Sequence, residues 1–339
     1  MRLLVTGGAG FIGSNFIRYW LANHQADEIL NYDALTYAGC LDSLKNVVKD
    51  FGQRYSFVQG DIRNFEQTLT AVQKFKPEVI VNFAAETHNS RAVLEPGIFM
   101  ETNALGTQRL LEAARQIGVG RFHHISTCEV YGDLALDSSE KFTEQSAYRP
   151  RTPYNASKAA ADHIVRAYYE TFKLPVTISN CANNYGPYQF PEKVIPLFVI
   201  KALAGENLPL YEHSHNRREW IQVEDHCRAI EAILKKGQVG ETYNVGSEFE
   251  ADVETIADKV LAHLGLSSTL KKYVSDRPGH DRRYLLDSGK IKKTLSWRPR
   301  VDFDQGLAQT IDWYRQNDWW WRPLLKKLAV QEEAWSQTK

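Results

Sequence analysis

The chain has little of several things that define whole classes of protein. Its 339 residues include only four cysteines, Cys40, Cys128, Cys181 and Cys227, without the spacing of a zinc site or the density of a disulfide framework. Basic and acidic residues balance at 41 each, so nucleic acid is not a predicted partner. No apolar run approaches membrane-spanning length, and a first strand beginning at residue 2 indicates no signal peptide. These absences predict a protein of the reducing cytoplasm.

A glycine-rich turn follows the first apolar run. Residues 2–6 read Arg-Leu-Leu-Val-Thr, and Gly7, Gly10 and Gly13 come before an amphipathic stretch. Strand, tight turn and helix form the context of a dinucleotide-binding fingerprint, because glycines let the backbone approach a pyrophosphate at the helix N-terminus. Asp33 lies twenty positions after Gly13. A carboxylate there accepts hydrogen bonds from ribose hydroxyls and repels a 2′-phosphate, which predicts NAD rather than NADP.

Two further segments carry the residues of proton chemistry. Tyr154 and Lys158 form a Tyr-x-x-x-Lys pair, which helical spacing places one turn apart on the same face. The ammonium group is expected to lower the pKa of Tyr154, so that its phenolate takes a proton from an alcohol. Thr127, Cys128 and Glu129 place a hydroxyl, a thiol and a carboxylate in a row at the end of a predicted strand. Together the segments predict oxidation of a carbinol with proton transfer beside it.

Strand-like runs alternate with helical patterns through the first half of the chain. Strands are predicted at residues 3–6, 29–32, 55–59, 79–83, 122–126 and 175–180, and helices at 11–22, 64–75, 103–117 and 154–171. This alternation predicts an α/β fold, a Rossmann-like doubly wound parallel sheet with helices on both faces. Residues 1–182 are predicted to form the NAD-binding domain, to which segments near 223–246 return. Residues 183–339 are predicted to form mainly a smaller substrate-binding domain.

Several strings resemble a known family over nearly the whole chain. They lie at residues 7–13, 33–39, 102–107 and 154–158 and, far more specifically, at 183–193 and 277–284. The chain resembles the nucleotide-sugar branch of the extended short-chain dehydrogenases/reductases, and within it the dTDP-glucose 4,6-dehydratases. The resemblance implies a lyase with tightly held NAD that converts dTDP-glucose, or a related dTDP- or UDP-hexose, to the 4-keto-6-deoxy sugar. It also implies a homodimer that pairs through the helices near 103–117 and 154–171.

The resemblance also implies a role for each candidate residue. Tyr154, with Lys158 and Thr127, takes the proton of the C4 hydroxyl while hydride passes to NAD. Glu129 then removes the C5 proton, which the new ketone has acidified, and hydride finally returns to C6. Cofactor contacts are expected from Gly7, Gly10, Phe11, Ile12, Gly13, Asp33, Leu35, Thr36, Asp61, Ile62, Ala84, Ala85, Tyr154 and Lys158. Substrate contacts are expected from His88, Asn184, Glu192, Lys193, Arg218, Arg277 and His280.

Within the substrate set, the resemblance separates two regions. Glu192 and Lys193 are expected to border the thymine pocket, and Asn184 and the cationic residues to surround the diphosphate. No metal site is predicted, because His213 and His215 have no further ligands near them in the sequence.

Cys128 departs from the family pattern, which has Asp at this position to protonate the departing C6 hydroxyl. Three outcomes stay open. The thiol, largely protonated at neutral pH, serves as the acid; Glu129 carries the C5 proton to the leaving oxygen by itself; or the reaction is not a complete 4,6-dehydration. The third outcome includes a nucleotide-sugar 5,6-dehydratase, a 4-epimerase and a C4 oxidoreductase, although a simple epimerase needs no base such as Glu129.

A second departure follows His88, where Asn89 and Ser90 replace the usual Val-Asp in a loop expected near the sugar. A non-enzymatic NAD sensor is the remaining alternative. It predicts damage at Thr127, Tyr154 or Lys158, and all three are intact.

Overall fold

The computed structural model describes residues 1–212, 215–275 and 281–328, and in them twelve strands form three sheets. The strands are β1 Arg2–Thr6, β2 Glu28–Asp33, β3 Tyr55–Gln59, β4 Val79–Asn82, β5 Arg121–Thr127, β6 Val176–Cys181, β7 Asn183–Tyr185, β8 Leu208–Tyr211, β9 Arg217–Gln222, β10 Thr242–Val245, β11 Glu250–Asp252 and β12 Lys271–Val274. Seven of them make one parallel sheet in the order β10-β6-β5-β4-β1-β2-β3. The predicted fold class is confirmed.

Helices cover both faces of this sheet, and others pack outside it. They are α1 Phe11–Asn23, α2 Lys45–Phe51, α3 Phe65–Phe75, α4 Asn89–Leu94, α5 Pro96–Phe99, α6 Thr107–Ile117, α7 Pro153–Phe172, α8 Val194–Leu203, α9 Val223–Lys236, α10 Val253–Leu264, α11 Gly289–Leu295, α12 Phe303–Gln316 and α13 Asp318–Trp321. In β1, Leu3 and Val5 pack with α1 and α9, whereas Leu4 packs with α3, α6 and α7. The alternation follows from the two-residue repeat of a strand. None of the helices in the described ranges is long and apolar enough to cross a membrane.

Helix α7 begins and ends at sequence signals. Thr152 is the N-cap, and its hydroxyl accepts a hydrogen bond from the amide of Asn155; Pro153 occupies the first turn. Lys173 ends the helix in a left-handed conformation. The cap fixes the start of the helix, so that Tyr154 and Lys158 are placed in its first two turns, directly beside the end of β5.

The sequence predicted one helix over residues 103–117, but its first part is wound differently. Met100–Gly106 is π-helical and runs into α6. Asn103 lies in this wider segment and is buried, with its side chain bonded to the amide and carbonyl of Glu86 and to the hydroxyl of Ser157. The π turns hold Asn103 against the loop after β4, which a local hydrophobic pattern does not reveal.

The remaining strands and helices extend the fold beyond the large sheet. Strands β11-β9-β7 and β12-β8 form two small sheets, and α8, α10 and α12 bury a separate apolar cluster with Phe198, Val260 and Ile311. Strand β10 is an edge of the large sheet, and α9 packs against α1. Both elements belong to the segment predicted to return to the first domain, while the division at residue 182 stays a prediction.

One buried histidine allows a test of the core by pH. His123 on β5 is fully buried, with Nδ1 2.9 Å from Thr177 Oγ1 and Nε2 3.1 Å from Ser179 Oγ. Burial, helped by the charges of His226 and Arg121, lowers the pKa of His123 to about 3. The unfolded chain takes up this proton below about pH 6.5, whereas the fold resists it. The contribution of neutral His123 to the free energy of unfolding is therefore complete above that pH and is lost as the pH falls towards 3.

We expect His123→Gln to remove this contribution. Between pH 7 and pH 5 the free energy of unfolding should fall by about 2 kcal/mol less in the variant than in the parent chain, as measured by urea denaturation. The same substitution at the exposed His163 is the control and should leave the pH dependence unchanged. Parallel pH curves for His123→Gln and the parent would contradict the prediction.

Candidate active site

A cleft lies beyond the carboxyl ends of the strands of the large sheet. It is lined by the turn after β1, by the residues that follow β2, β3 and β4, and by the ends of β5 and β6. The strand order reverses between β1 and β4, and ligands of doubly wound sheets bind at such a switch point. Of the predicted site residues in the described ranges, all line the cleft except Leu35, His88, Cys128 and Arg218.

The turn after β1 fits a dinucleotide pyrophosphate. Gly7 has φ +67° and a Cβ there would lie 2.6 Å from the amide nitrogen of Ala84, while a Cβ on Gly13 would lie 2.4 Å from the carbonyl oxygen of Gly7. The N-cap of α1 is Gly10, which provides no side-chain hydrogen bond. No N-cap side chain therefore occupies the amides of the first turn of α1. These amides face a cleft that has room for phosphate oxygens.

Asp33 is held at the end of β2 by the same turn. Its two carboxylate oxygens accept hydrogen bonds from the amides of Ala9, at 2.9 Å, and Leu35, at 2.7 Å. Leu35 therefore positions the carboxylate through its backbone, in a left-handed conformation with φ 54°, although it does not line the cleft. Each carboxylate oxygen retains a second lone pair for a ribose hydroxyl. Asp61, Ile62, Ala84 and Ala85 line the adjoining wall.

Lys158 is fixed by buried partners under the cleft. Its Nζ donates a hydrogen bond to the carbonyl of Ile125 at 2.7 Å and lies 3.2 Å from His124 Nε2. Burial lowers the pKa of Lys158 to about 8, with the nearby carboxylate of Asp162 acting in the opposite direction. The side chain thus remains largely charged at neutral pH, and its position is set by β5 rather than by solvent.

The pKa of Tyr154 is raised, whereas a lowered pKa was expected from the neighbouring Lys158. Burial raises the pKa of Tyr154 well above its usual value, and the charge of Glu129 raises it further. A hydrogen bond with Thr127 acts in the opposite direction but does not offset burial. Burial and the charge of Glu129 therefore both favour the protonated phenol.

Glu129 contributes a carboxylate to the cleft, and its hydrogen-bond partner is Asn89, which was not among the predicted site residues although its loop was expected near the sugar. Glu129 lies in a short 3₁₀ turn after β5, where its amide donates to Thr127 Oγ1 at 3.2 Å. Its Oε2 accepts a hydrogen bond from Asn89 Nδ2 at 2.9 Å. The position of Asn89 after a strand of the parallel sheet was the available signal, since such loops meet at the ligand edge.

Cys128 lies between Thr127 and Glu129 in sequence but does not line the cleft. It is 1% exposed and packs in an apolar cluster with Val130, Ala159 and Tyr243. Burial raises the pKa of the Cys128 thiol well above its usual value, and the charge of Glu129 adds to this. The first of the three outcomes for Cys128, an acid that reaches the substrate, has no support in this geometry.

The predicted nucleotide pocket is built around Glu192. Its Oε1 accepts a hydrogen bond from the hydroxyl of Tyr37 at 2.8 Å, and its Oε2 lies 4.0 Å from His88 Nδ1. Arg91 lies over the ring of Tyr37, with 4.5 Å between the guanidinium carbon and the ring centroid. Tyr37 and Arg91 were not predicted as site residues, since their meeting with Glu192 depends on tertiary packing.

Two polar neighbours complete this wall of the cleft. Lys193 donates to the carbonyl of Thr87 at 3.3 Å. Asn184 lines the cleft, but its side chain is engaged by the carbonyl of Ala182 and by His226.

Arg218 was predicted to contact the substrate, but it does not line the cleft. Its guanidinium donates to the backbone carbonyls of Arg217, Asp281 and Arg282, and it lies over the ring of Tyr284. These bonds tie β9 to the segment after residue 280, so the side chain is used in packing. Arg277 and His280, which were predicted to contact the diphosphate, lie outside the described residues.

Comparison with known proteins identifies the family. The family described as GDP-mannose 4,6 dehydratase matches residues 4–310 of the chain. The chain belongs to this family. A dTDP-glucose 4,6-dehydratase from Xanthomonas campestris pv. campestris is 46% identical over 335 residues, which cover 94% of each chain.

Solved structures of relatives agree with this assignment. The structure of a dTDP-glucose 4,6-dehydratase from Streptomyces venezuelae with NAD bound is similar, with a TM-score of 0.92 and 48% identity over 96% of this chain and 100% of the other. A dTDP-glucose 4,6-dehydratase from Bacillus anthracis in complex with NAD has a TM-score of 0.88 and 45% identity over 96% of this chain and 99% of the other.

Proposed function

We propose that the protein is an NAD-dependent dTDP-glucose 4,6-dehydratase. The main observation that supports this proposal is that Glu129 lines the same cleft as Thr127, Tyr154 and Lys158. Oxidation of an alcohol needs only a hydride acceptor and the last three, whereas a carboxylate base beside them serves removal of the C5 proton. Relatives between 43% and 46% identical that carry this activity, matched over nearly their full length, support the choice of reaction.

The first step is oxidation at C4. When bound, NAD supplies the acceptor of the C4 hydride, a positive charge that favours the phenolate, and later the hydride for C6. Tyr154 takes the proton of the C4 hydroxyl, and the Thr127 hydroxyl shares the hydrogen bond to that oxygen. Lys158, whose Nζ donates a hydrogen bond to the carbonyl of Ile125, supplies a positive charge to the site.

The second step is loss of water across C5 and C6. The C4 ketone acidifies the C5–H bond, and the Glu129 carboxylate takes that proton. The electron pair of the C5–H bond forms the C5=C6 double bond, and the C6–O bond breaks. The departing hydroxyl receives a proton and leaves as water. Hydride addition at C6 and protonation of C5 from solvent then give the 4-keto-6-deoxy sugar.

We further propose that Glu129 provides the proton for the departing hydroxyl, since Cys128 does not line the cleft. Glu129 holds the C5 proton after the first transfer and becomes a carboxylate again when it gives that proton to the leaving oxygen. A single shuttle therefore balances both transfers without the thiol. It also requires the C5 hydrogen and the C6 hydroxyl to leave from the same face of the sugar.

Cys128→Ala tests this assignment. We expect water elimination to proceed within severalfold of the parent rate, because the thiol is buried and does not line the cleft. The rate of water loss is followed by the mass of the product after rapid quenching. Cys227→Ala, at a thiol buried in a different apolar cluster, is the matched control for the effect of a small cavity. A selective collapse of elimination in Cys128→Ala, with reduced cofactor accumulating, would assign the acid to the thiol instead.

The roles in substrate binding are also proposals. Glu192 and Lys193 contact the nucleobase, supported by their place in the lining of the cleft. Asn184 borders the diphosphate, and Arg277 and His280 are proposed to bind it on the strength of the resemblance alone. Because the geometry of Arg218 supports a packing role, we do not assign it to the diphosphate.

Incubation with dTDP-glucose, and separately with UDP-glucose and UDP-GlcNAc, tests the function. We expect loss of one water from dTDP-glucose, a ketone in the product and solvent deuterium at C5. A product of unchanged mass would indicate an epimerase. Loss of water without a ketone would indicate return of hydride to C4, as in a 5,6-dehydratase. Either result would overturn the proposal.

The homodimer, the cytoplasmic location and the two-domain division remain predictions. The dimer is supported by exposed apolar side chains on the π-helical segment and on α7, where Leu105 and Phe172 are 48% and 49% exposed. Because the family pairs these helices, the exposed side chains fit a contact with a second copy.

A further inference from the structure

Asn89 connects two parts of the active site that no sequence motif joins. Its Nδ2 donates to Glu129 Oε2 at 2.9 Å, and its Oδ1 accepts from the hydroxyl of Thr152 at 2.8 Å. Thr152 is the N-cap of α7, the helix that carries Tyr154. One amide thus links the carboxylate of the elimination step to the start of the helix of the oxidation step.

The direction of these bonds follows from the chemistry of the groups. An ionised carboxylate has no proton to donate, so Asn89 must present its NH₂ to Glu129. The carbonyl oxygen of the same amide then faces Thr152, whose hydroxyl donates to it while accepting from the amide of Asn155. Each donor meets an acceptor, and the rotation of the Asn89 amide is therefore fixed from both sides.

We propose that Asn89 is a positioning residue for Glu129. Holding Oε2 with a donor orients the carboxylate, leaves Oε1 as the oxygen that exchanges protons, and favours the ionised form that acts as the base. The inference rests on the proposed dehydration and deepens it. The proposed role also explains why Asn89 matters at a position where the resembled family has Val, because a valine side chain offers no hydrogen-bond donor.

The surroundings of Glu129 show why a donor matters there. The titratable groups that face it from other elements, and from its own turn, are neutral or acidic: Cys128, Tyr154, Cys181, Asp281 and Tyr284. Two guanidinium groups act on Asp281: that of Arg218 is bonded to backbone carbonyls, and that of Arg151 pairs with Asp133 and Asp281. Asn89 therefore gives Glu129 a side-chain hydrogen-bond donor, at 2.9 Å from Oε2.

The test separates elimination from oxidation in Asn89→Leu, which keeps the size of the side chain but removes the amide. In single turnovers with NAD-loaded enzyme and dTDP-glucose, reduced cofactor reports oxidation and product mass reports water loss. We expect oxidation within severalfold of the parent and water loss slower by about 10- to 100-fold. The acidic limb of the pH profile of water loss should move to higher pH, because the ionised form loses its donor.

Two further variants keep the test decisive. Asn89→Asp retains an acceptor for Thr152 but replaces the donor with a carboxylate, so water loss should fall at least as far as in Asn89→Leu. Asn46→Leu, the same substitution at an exposed position of α2 outside the cleft, is the matched control and should behave as the parent. Equal slowing of oxidation and water loss, an unmoved pH profile, or full activity of both Asn89 variants would overturn the role of Asn89. A parent enzyme that never removes water would instead overturn the proposed function.

Discussion

Tyr154→Phe is expected to stop the reaction before hydride leaves the sugar. The phenol is buried in the cleft and hydrogen-bonded with Thr127. Burial raises the pKa of Tyr154, and the positive charge of a bound cofactor would act in the opposite direction. Phenylalanine keeps the ring against Phe99 but has no oxygen to take the proton of the C4 hydroxyl. Proton transfer of this kind contributes about 10²- to 10⁴-fold, so both reduced cofactor and water loss should fall by that factor.

The measurement is the appearance of enzyme-bound reduced cofactor, by absorbance, after mixing with dTDP-glucose. Tyr169→Phe makes the same change on the same helix, outside the cleft, and should leave the rate unaltered. Binding of the cofactor to both variants, followed by fluorescence, confirms that the cleft is intact. Normal oxidation in Tyr154→Phe would transfer the role of base to another group and remove the basis of the proposed cycle.

The parts of this site that the sequence predicted are those in which local rules and tertiary structure agree. Gly7 and Gly13 are required by the turn itself. Asp33 ends β2, which lies next to β1 in the parallel sheet, so the carboxylate is placed beside the glycine turn. Tyr154 and Lys158 share a face because of helical spacing, and Thr152 and Pro153 mark the start of their helix. None of these inferences needed knowledge of a distant contact.

The parts that the sequence did not predict depend on burial and on partners far along the chain. Arg218 is occupied by carbonyls of residues 281 and 282, more than sixty positions later. Cys128 turns inward because Thr127 and Glu129 on either side line the cleft, and the strand-to-turn geometry sends the residue between them into the core. The pKa of Tyr154 has the opposite direction to the predicted one because burial, together with the charge of Glu129, disfavours the phenolate.

Glu129→Gln is expected to separate the two halves of the reaction. Glutamine has nearly the same shape and retains an oxygen to accept the hydrogen bond of Asn89, so the loop should keep its position. Its amide cannot take the C5 proton, nor can it protonate the departing hydroxyl, since both transfers require a carboxyl group. Oxidation at C4, which uses Thr127, Tyr154 and Lys158, should continue.

We therefore expect reduced cofactor to accumulate on this variant while water loss falls by about 10²- to 10⁴-fold. Exchange of the C5 hydrogen with solvent deuterium should disappear with it, because the same carboxylate starts that exchange. Glu140→Gln, on an exposed loop, is the control for the substitution itself. Water loss at the parental rate in Glu129→Gln would require a different base at C5. Persistent deuterium exchange without water loss would leave Glu129 only the transfer to the C6 hydroxyl, and either finding would refute a single carboxylate shuttle.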